Sequence, residues 1–194
     1  LIATDLLWEG LFALLRKNPL YLFLVPIWLL GGPARLKQKI AERVEIDAAS
    51  LPYREHLLAR LQADHADGRK IVLATGTPRR FAEAVAGHLG IFDHVLATDG
   101  PHNLTSSRKR EALVAAYGDG GFDYAGNSRH DLDVFDAART AIVVSPDRSA
   151  ARWQARHDCE VMAGTKPTSK TIFRMLRCHQ WLKNGLIAVP MVLS

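Results

Sequence analysis

The chain has 194 residues, 48% of them hydrophobic and 23% charged, enough for one globular domain, or for one domain plus an appendage. That apolar fraction, with 14 Gly and only two Cys, excludes a disordered chain, a collagen and a disulfide scaffold. The formal charge of +5 sits at one end: residues 1–163 hold 20 Lys and Arg against 20 Asp and Glu, whereas 164–194 hold Lys166, Lys170, Arg174, Arg177 and Lys183 and no acid. A neutral body lacks the basic face that nucleic-acid recognition needs, so no nucleic-acid partner is expected.

In chain order, Thr4 or Asp5 can cap a helix that runs to about Lys17, with Leu6, Leu7, Leu11, Leu14 and Leu15 on one face. Asn18 and Pro19 break it. Leu20 to Leu30 is almost wholly apolar, interrupted by Pro26, and is too short to cross a bilayer. It fits a buried core or cap helix, or one that lies at a surface. A third helix starts at Gly31-Gly32-Pro33 and runs to about Val44, and a fourth covers about Tyr53 to Asp67.

At Asp67-Gly68 the periodicity changes. Short apolar runs at Lys70–Thr75, His94–Ala97, Phe122–Ala125 and Ala141–Ser145 read as strands, with a weaker one at Glu160–Ala163. Helical segments separate them: Pro78–Leu89, Ser107–Tyr117, a short helix from about His130, and Ala150–Arg156. Strands alternating with helices predict an α/β fold with a parallel sheet. A last helix, about Pro167 to Leu182, carries the cations.

Chemistry in such sheets gathers at the carboxyl ends of the strands. The first strand ends in Thr75-Gly76-Thr77, where a hydroxyl and free backbone N–H groups before a helix can hold a phosphoryl group, or simply cap the helix. Lys109, near the start of its helix, could neutralise a phosphoryl oxygen or be a solvated surface lysine. After the third strand, the turn Gly126 to Asp131 offers Asn127 and Asp131 as oxygen ligands for a hard cation such as Mg²⁺, unless Asp131 only caps the short helix. His56, His65, His88, His94 and His102 have no ligand or triad spacing and read as surface or loop residues. Cys159 and Cys178 lack zinc spacing. Gly118 to Gly121 reads as a helix-ending turn.

Taken in order, Thr75, Lys109 and the Gly126–Asp131 turn resemble the second, third and fourth motifs of haloacid dehalogenase-like (HAD) phosphohydrolases. The resemblance implies a Rossmann-like parallel sheet at 69–165 with an all-helical cap at 1–68. It also implies a Mg²⁺-dependent phosphatase that works through an aspartyl-phosphate, with Thr75 and Lys109 catalytic, Gly76 and Thr77 binding substrate, and Asp131 and Asn127 on the metal. Two departures stand out. No Asp-x-Asp-Gly-Thr motif, which holds the family's nucleophile on its first strand, occurs in the chain; Leu1 to Glu9 resembles the stretch immediately after that motif. The chain is therefore expected to be an excised piece, its sheet interrupted between the strands that end at Thr75 and Ala125. The second departure is Asn127, where most of the family has Asp.

The segment Leu176 to Pro190 resembles the opening of UbiA-family prenyltransferases, in which Arg-x-His-Gln-Trp-x-Lys-Asn leads into the first membrane helix. Cations before an apolar run, with Trp181 between, suit the cytoplasmic side of a first span. The resemblance implies that 166–194 is a juxtamembrane helix and the start of a truncated transmembrane segment, with Arg177, Lys183 and Asn184 meeting phosphates of a lipid or substrate. The whole protein would be a multi-pass protein whose phosphatase domain lies at the cytoplasmic face of the cell membrane. Its partners would be that membrane and a phosphorylated small molecule or lipid-linked substrate. The alternative reading is a non-catalytic HAD-like module that docks or senses.

Overall fold

The computed structural model describes residues 1–4, 6–99, 104 and 106–162. The chain divides into two units, Leu1–Gly164 and Thr165–Ser194. The second lies outside the described residues, and with it the expected basic helix and the UbiA-like segment.

Three helices open the first unit: α1 (Leu6–Lys17), α2 (Tyr21–Leu30) and α3 (Pro33–Ala41). The apolar spacing of α1 turns Leu6, Gly10 and Leu14 inward. Pro33 opens α3, where its missing N–H costs nothing, and Leu36 and Ile40 form the inner face. A short 3₁₀ turn, Ala48–Ser50, is capped by the Asp47 carboxylate, which accepts from Ala49 N. Then come α4 (Glu55–Ala66), β1 (Val72–Pro78) and α5 (Arg79–Leu89). Leu14 and Ile40, both fully buried, share one core with Phe81 and Val85 of α5. The helical quarter is therefore packed on the α/β body.

The remaining elements are β2 (His94–Thr98), α6 (Ser107–Tyr117), β3 (Asp123–Gly126), α7 (Leu132–Phe135), β4 (Thr140–Val144), α8 (Arg148–Gln154) and β5 (Glu160–Met162). The pairings among β1–β5 are all parallel, as the alternation of strands and helices predicts. Leu113, Tyr124, Val134, Phe135 and Val143 form a second core beneath β3 and β4.

The strands form two sheets, β1–β2 and β3–β4–β5. Among the described residues β1 pairs only with β2 and β3 only with β4, so the sheet they form is interrupted between Thr75 and Ala125. The facing edges of β1 and β3 line a cleft of about 720 Å³. Leu1, Ile2 and Thr4 also line this cleft, their stretch held by an antiparallel bridge from Ile2 to Tyr53 and by Ala3 N donating to Pro52 O at 2.9 Å.

Three expectations need correction. β1 runs on to Pro78, because after a register shift Pro78 pairs with Thr98, and α5 starts only at Arg79. α8 starts at Arg148 rather than Ala150, because the Asp147 carboxylate accepts from Ser149 N and Ala150 N, both at 2.8 Å. The apolar Leu20–Leu30 segment is not a buried core helix, since Trp28 alone in α2 is buried. No helix among the described residues is long and apolar enough to cross a membrane.

Candidate functional site

The carboxyl end of β3 carries Asp131 into the protein through the turn after Gly126. A Cβ on Gly126 would stand 2.8 Å from Asp131 Cβ and 2.9 Å from Tyr124 Cε1, so glycine is what permits this approach. The turn is fixed by a capping box, in which Ser128 Oγ accepts from His130 N while Asp131 Oδ2 accepts from Ser128 N at 3.1 Å. Asp131 Oδ2 also accepts from Asn127 N at 3.1 Å and Ser128 Oγ at 3.0 Å.

The other carboxylate oxygen faces a cation. Lys109 Nζ, brought in by the first turns of α6, lies 2.8 Å from Asp131 Oδ1 and 3.0 Å from the Tyr124 hydroxyl. Tyr124 in turn donates to Asp131 Oδ1 at 2.8 Å. Lys109 and Asp131 are each 6% exposed, so neither is a solvated surface charge. Burial works to raise the Asp131 carboxyl. The charge of Lys109, with the donors from Lys109, Tyr124 and Asn127 N, outweighs it and holds the group at about 2. Burial, followed by the Asp131 charge and its hydrogen bond, pushes the Tyr124 hydroxyl well above its ordinary value.

Thr75, Gly76 and Thr77 stand at the end of β1 on the same cleft. Thr75 Oγ1 accepts from Thr77 N at 3.2 Å and lies 3.0 Å from Thr77 Oγ1. Gly76 O accepts from Thr98 Oγ1 at 3.0 Å, which ties the turn to β2. Thr75, Gly76, Thr77, Lys109, Asn127 and Asp131 therefore all line one cleft. Arg177, Lys183 and Asn184 lie outside the described residues, as do Cys178 and His102. His56, His65, His88 and His94 are exposed.

Mg²⁺ is bound by one or two carboxylates with waters and phosphate oxygens. Both oxygens of Asp131 already accept from protein donors, one of them a cation, and Asn127 adds only a neutral amide. Among the described residues no group of three or more His, Cys, Asp or Glu could hold a metal ion. The donor set described does not by itself fit Mg²⁺.

Tyr124, Ser128 and Asp147 escape the sequence reading. Ser128 and Asp131 carry the spacing of a capping box, a signal present but unread. Asp147 receives Arg129 N at 3.0 Å and its own N–H donates to Asn127 O at 2.8 Å, buttressing the turn. Partial burial raises its carboxyl, but bonds from Ala150 N, Arg129 N and Ser149 N leave it below its ordinary value. Tyr124 gives no signal, since a tyrosine in a short strand reads as core.

A family model for haloacid dehalogenase-like hydrolases matches residues 20–136. The "Uncharacterized protein y4nM" of Sinorhizobium fredii is 34% identical over 198 residues, which cover all of this chain and 38% of that protein. The chain thus spans little more than a third of the length of this curated relative. In structure, a HAD family hydrolase from Salmonella enterica serovar Typhi superposes with a TM-score of 0.58 at 13% identity, covering 89% of this chain and 65% of that one. A Bordetella pertussis Tohama I protein of unknown function gives 0.51 at 16% identity, covering 72% and 71%. These structural likenesses, at 13% and 16% identity, speak to the fold alone. The chain belongs to the haloacid dehalogenase-like hydrolases.

Proposed function

We propose that the chain is the phosphomonoester hydrolase part of a larger enzyme, in which a HAD-like phosphatase domain precedes a UbiA-type prenyltransferase. The observation that carries the phosphatase half is the convergence on one cleft of a hydroxyl, Thr75, a buried cation, Lys109, and a carboxylate, Asp131. In this reading Thr75, with Gly76 and Thr77, orients the phosphoryl group. Lys109 offsets the charge that gathers on its oxygens in the transition state, at no cost of reorganisation because Asp131 and Tyr124 already hold the ammonium in place. A covalent aspartyl route divides one hard displacement into two. Its nucleophile is absent from these 194 residues and would come from a strand seated between β1 and β3, whose open edges offer it a partner on each side. Mg²⁺ needs at least one carboxylate more than the described residues bring together, and the same strand would supply it. The chain by itself is then expected to bind without turnover.

The prenyltransferase half rests on the Arg177–Asn184 resemblance, and the much greater length of the Sinorhizobium relative leaves room for such a domain. The resemblance is to UbiA-type enzymes that act on phosphoribosyl diphosphate. Transfer of its phosphoribosyl group to a polyprenyl phosphate releases diphosphate and leaves the 5-phosphate on the ribose. The neighbouring phosphatase would hydrolyse that ester to inorganic phosphate at the cytoplasmic face of the membrane. The test is phosphate release from the phosphorylated lipid-ribose by the full-length protein with Mg²⁺. Asp131→Ala is expected to lower the rate by about 100-fold or more. No release, or release that Asp131→Ala leaves undiminished, sinks the reading.

The second reading, a non-catalytic module that senses a phosphorylated metabolite, draws on the full engagement of Asp131 and the neutral Asn127. It predicts that inorganic phosphate raises the melting temperature of the full-length protein while no substrate is turned over.

A further inference from the structure

The helix α2 has no charged side chain, and its inward side is the narrow line Tyr21, Val25 and Trp28. Every other position faces out: Phe23 is 73% exposed, Leu30 89%, and Leu22 and Ile27 59% each. On α1, Trp8 and Phe12, four residues apart and so on one face, are 57% and 49% exposed, with ring centroids 6.4 Å apart. Scattered apolar residues on a surface need no explanation, but a whole helix of them does.

The charges around α2 say what covers it. From Gly10 to Ala41 the sequence contains no Asp or Glu, yet it contains Arg16, Lys17, Arg35, Lys37 and Lys39, although residues 1–163 as a whole are neutral. Arg16 and Lys17 end α1 just before α2, and Arg35 lies in the first turn of α3 just after it. Apolar residues exposed around most of the helix do not match the single stripe that packs against one protein partner. A ten-residue helix is about 15 Å long, half of a bilayer's hydrocarbon thickness, so it cannot span. An apolar element flanked by cations, with aromatic rings beside it, matches the boundary between headgroups and acyl chains of an anionic membrane.

We propose that α2 is a membrane-docking element, inserting Leu22, Phe23, Ile27 and Leu30 into the interface of an anionic lipid bilayer while the flanking cations meet headgroup phosphates. The proposal rests on α1, α2 and α3 alone and is independent of the phosphatase reading.

The test uses the 194-residue chain with Cys159→Ser and Cys178→Ser, and with Phe23→Cys bearing an environment-sensitive fluorophore. Phe23 is exposed, so its replacement leaves the fold intact. With phosphatidylcholine–phosphatidylglycerol vesicles, the fluorophore is expected to shift to the blue and to be quenched by lipids nitroxide-labelled near the headgroup. Lys17→Glu with Arg35→Glu is expected to weaken this partition roughly tenfold or more at low salt. Vesicle-bound protein whose label stays in water would overturn the proposal, because the C-terminal segment alone would then be the anchor. A blue shift that follows protein concentration without vesicles would also overturn it, by showing that a second copy covers the helix.

Discussion

Asp131 ionises in a place where burial alone would keep its proton on. Replacing Lys109 with Met removes the ammonium and leaves that carboxylate buried without a counter-charge, a loss of about 3–5 kcal/mol. Urea unfolding at neutral pH should show it. The pH dependence has a definite sign. Because the folded-state value, about 2, lies below the ordinary 3.8, Asp131 contributes stability that is complete above about pH 4 and disappears as the pH falls through 2. In Lys109→Met this acid-side loss should shrink or invert, and unfolding midpoints measured between pH 6 and pH 2, a range set by the same linkage, should converge on those of the wild type at about the acid end. Tyr124→Phe removes one donor to Asp131 while the lysine pair stays, so about 1 kcal/mol of stability is expected to go. Lys109 and Asp131 are legible in the sequence because their types and order match a known pattern. The tyrosine is not, because where its hydroxyl points depends on how β3 lies against α6.

At the scale of single elements, α1 and α3 approach closely at a glycine. A Cβ on Gly10 would stand 2.8 Å from Ile40 Cγ2 and 3.1 Å from Phe81 Cε2, and Ile40 is fully buried with little room to yield. Gly10→Val should therefore cost about 1–3 kcal/mol, read as a lower urea midpoint. Ser145, just past β4, has φ of +49° and a buried hydroxyl with no hydrogen-bond partner among the described residues. Both features oppose the serine, so Ser145→Gly is expected to raise stability by about 1 kcal/mol in the same measurement. The elements themselves are readable in the sequence, since apolar periodicity switches from helical to strand-like at Gly68 and every predicted strand forms. Their ends are less so. Pro78 belongs to β1 only because Thr98 lies opposite it, and residue 78 alone does not disclose that pairing. The apolar content of Leu20–Leu30 is plain, whereas its exposure depends on which neighbours fold over it.

For the first unit as a whole, ion pairs reach where the sheet does not. Arg69, just before β1, pairs with Asp64 at 3.0 Å and with Asp123 of β3 at 2.5 Å, and Arg139 pairs with Asp123 at 2.7 Å. Bonds from Arg139, against a smaller opposing effect of burial and with further help from Arg69 and Thr140, hold the Asp123 carboxyl at about 2. Arg69 and Arg139 are largely exposed, so solvent screens the network, and Asp123→Asn should cost about 1 kcal/mol at low salt and less at high salt. Comparing urea midpoints at the two salt levels checks this. Such a tie is invisible in the sequence, where residues 69, 123 and 139 stand far apart among many other charges.

The interrupted sheet also bears on how the chain acquires its structure. Val72 pairs with His94 and Asp123 with Thr140, so each half-sheet is built from strands consecutive in the chain and closes only a modest loop. Among the described residues no backbone ladder joins the halves, and neither has to wait for the other before its own strands meet. Native-state amide exchange should accordingly resolve two cooperative units: amides of β1 and β2 open together at one free energy, and those of β3 and β4 at another.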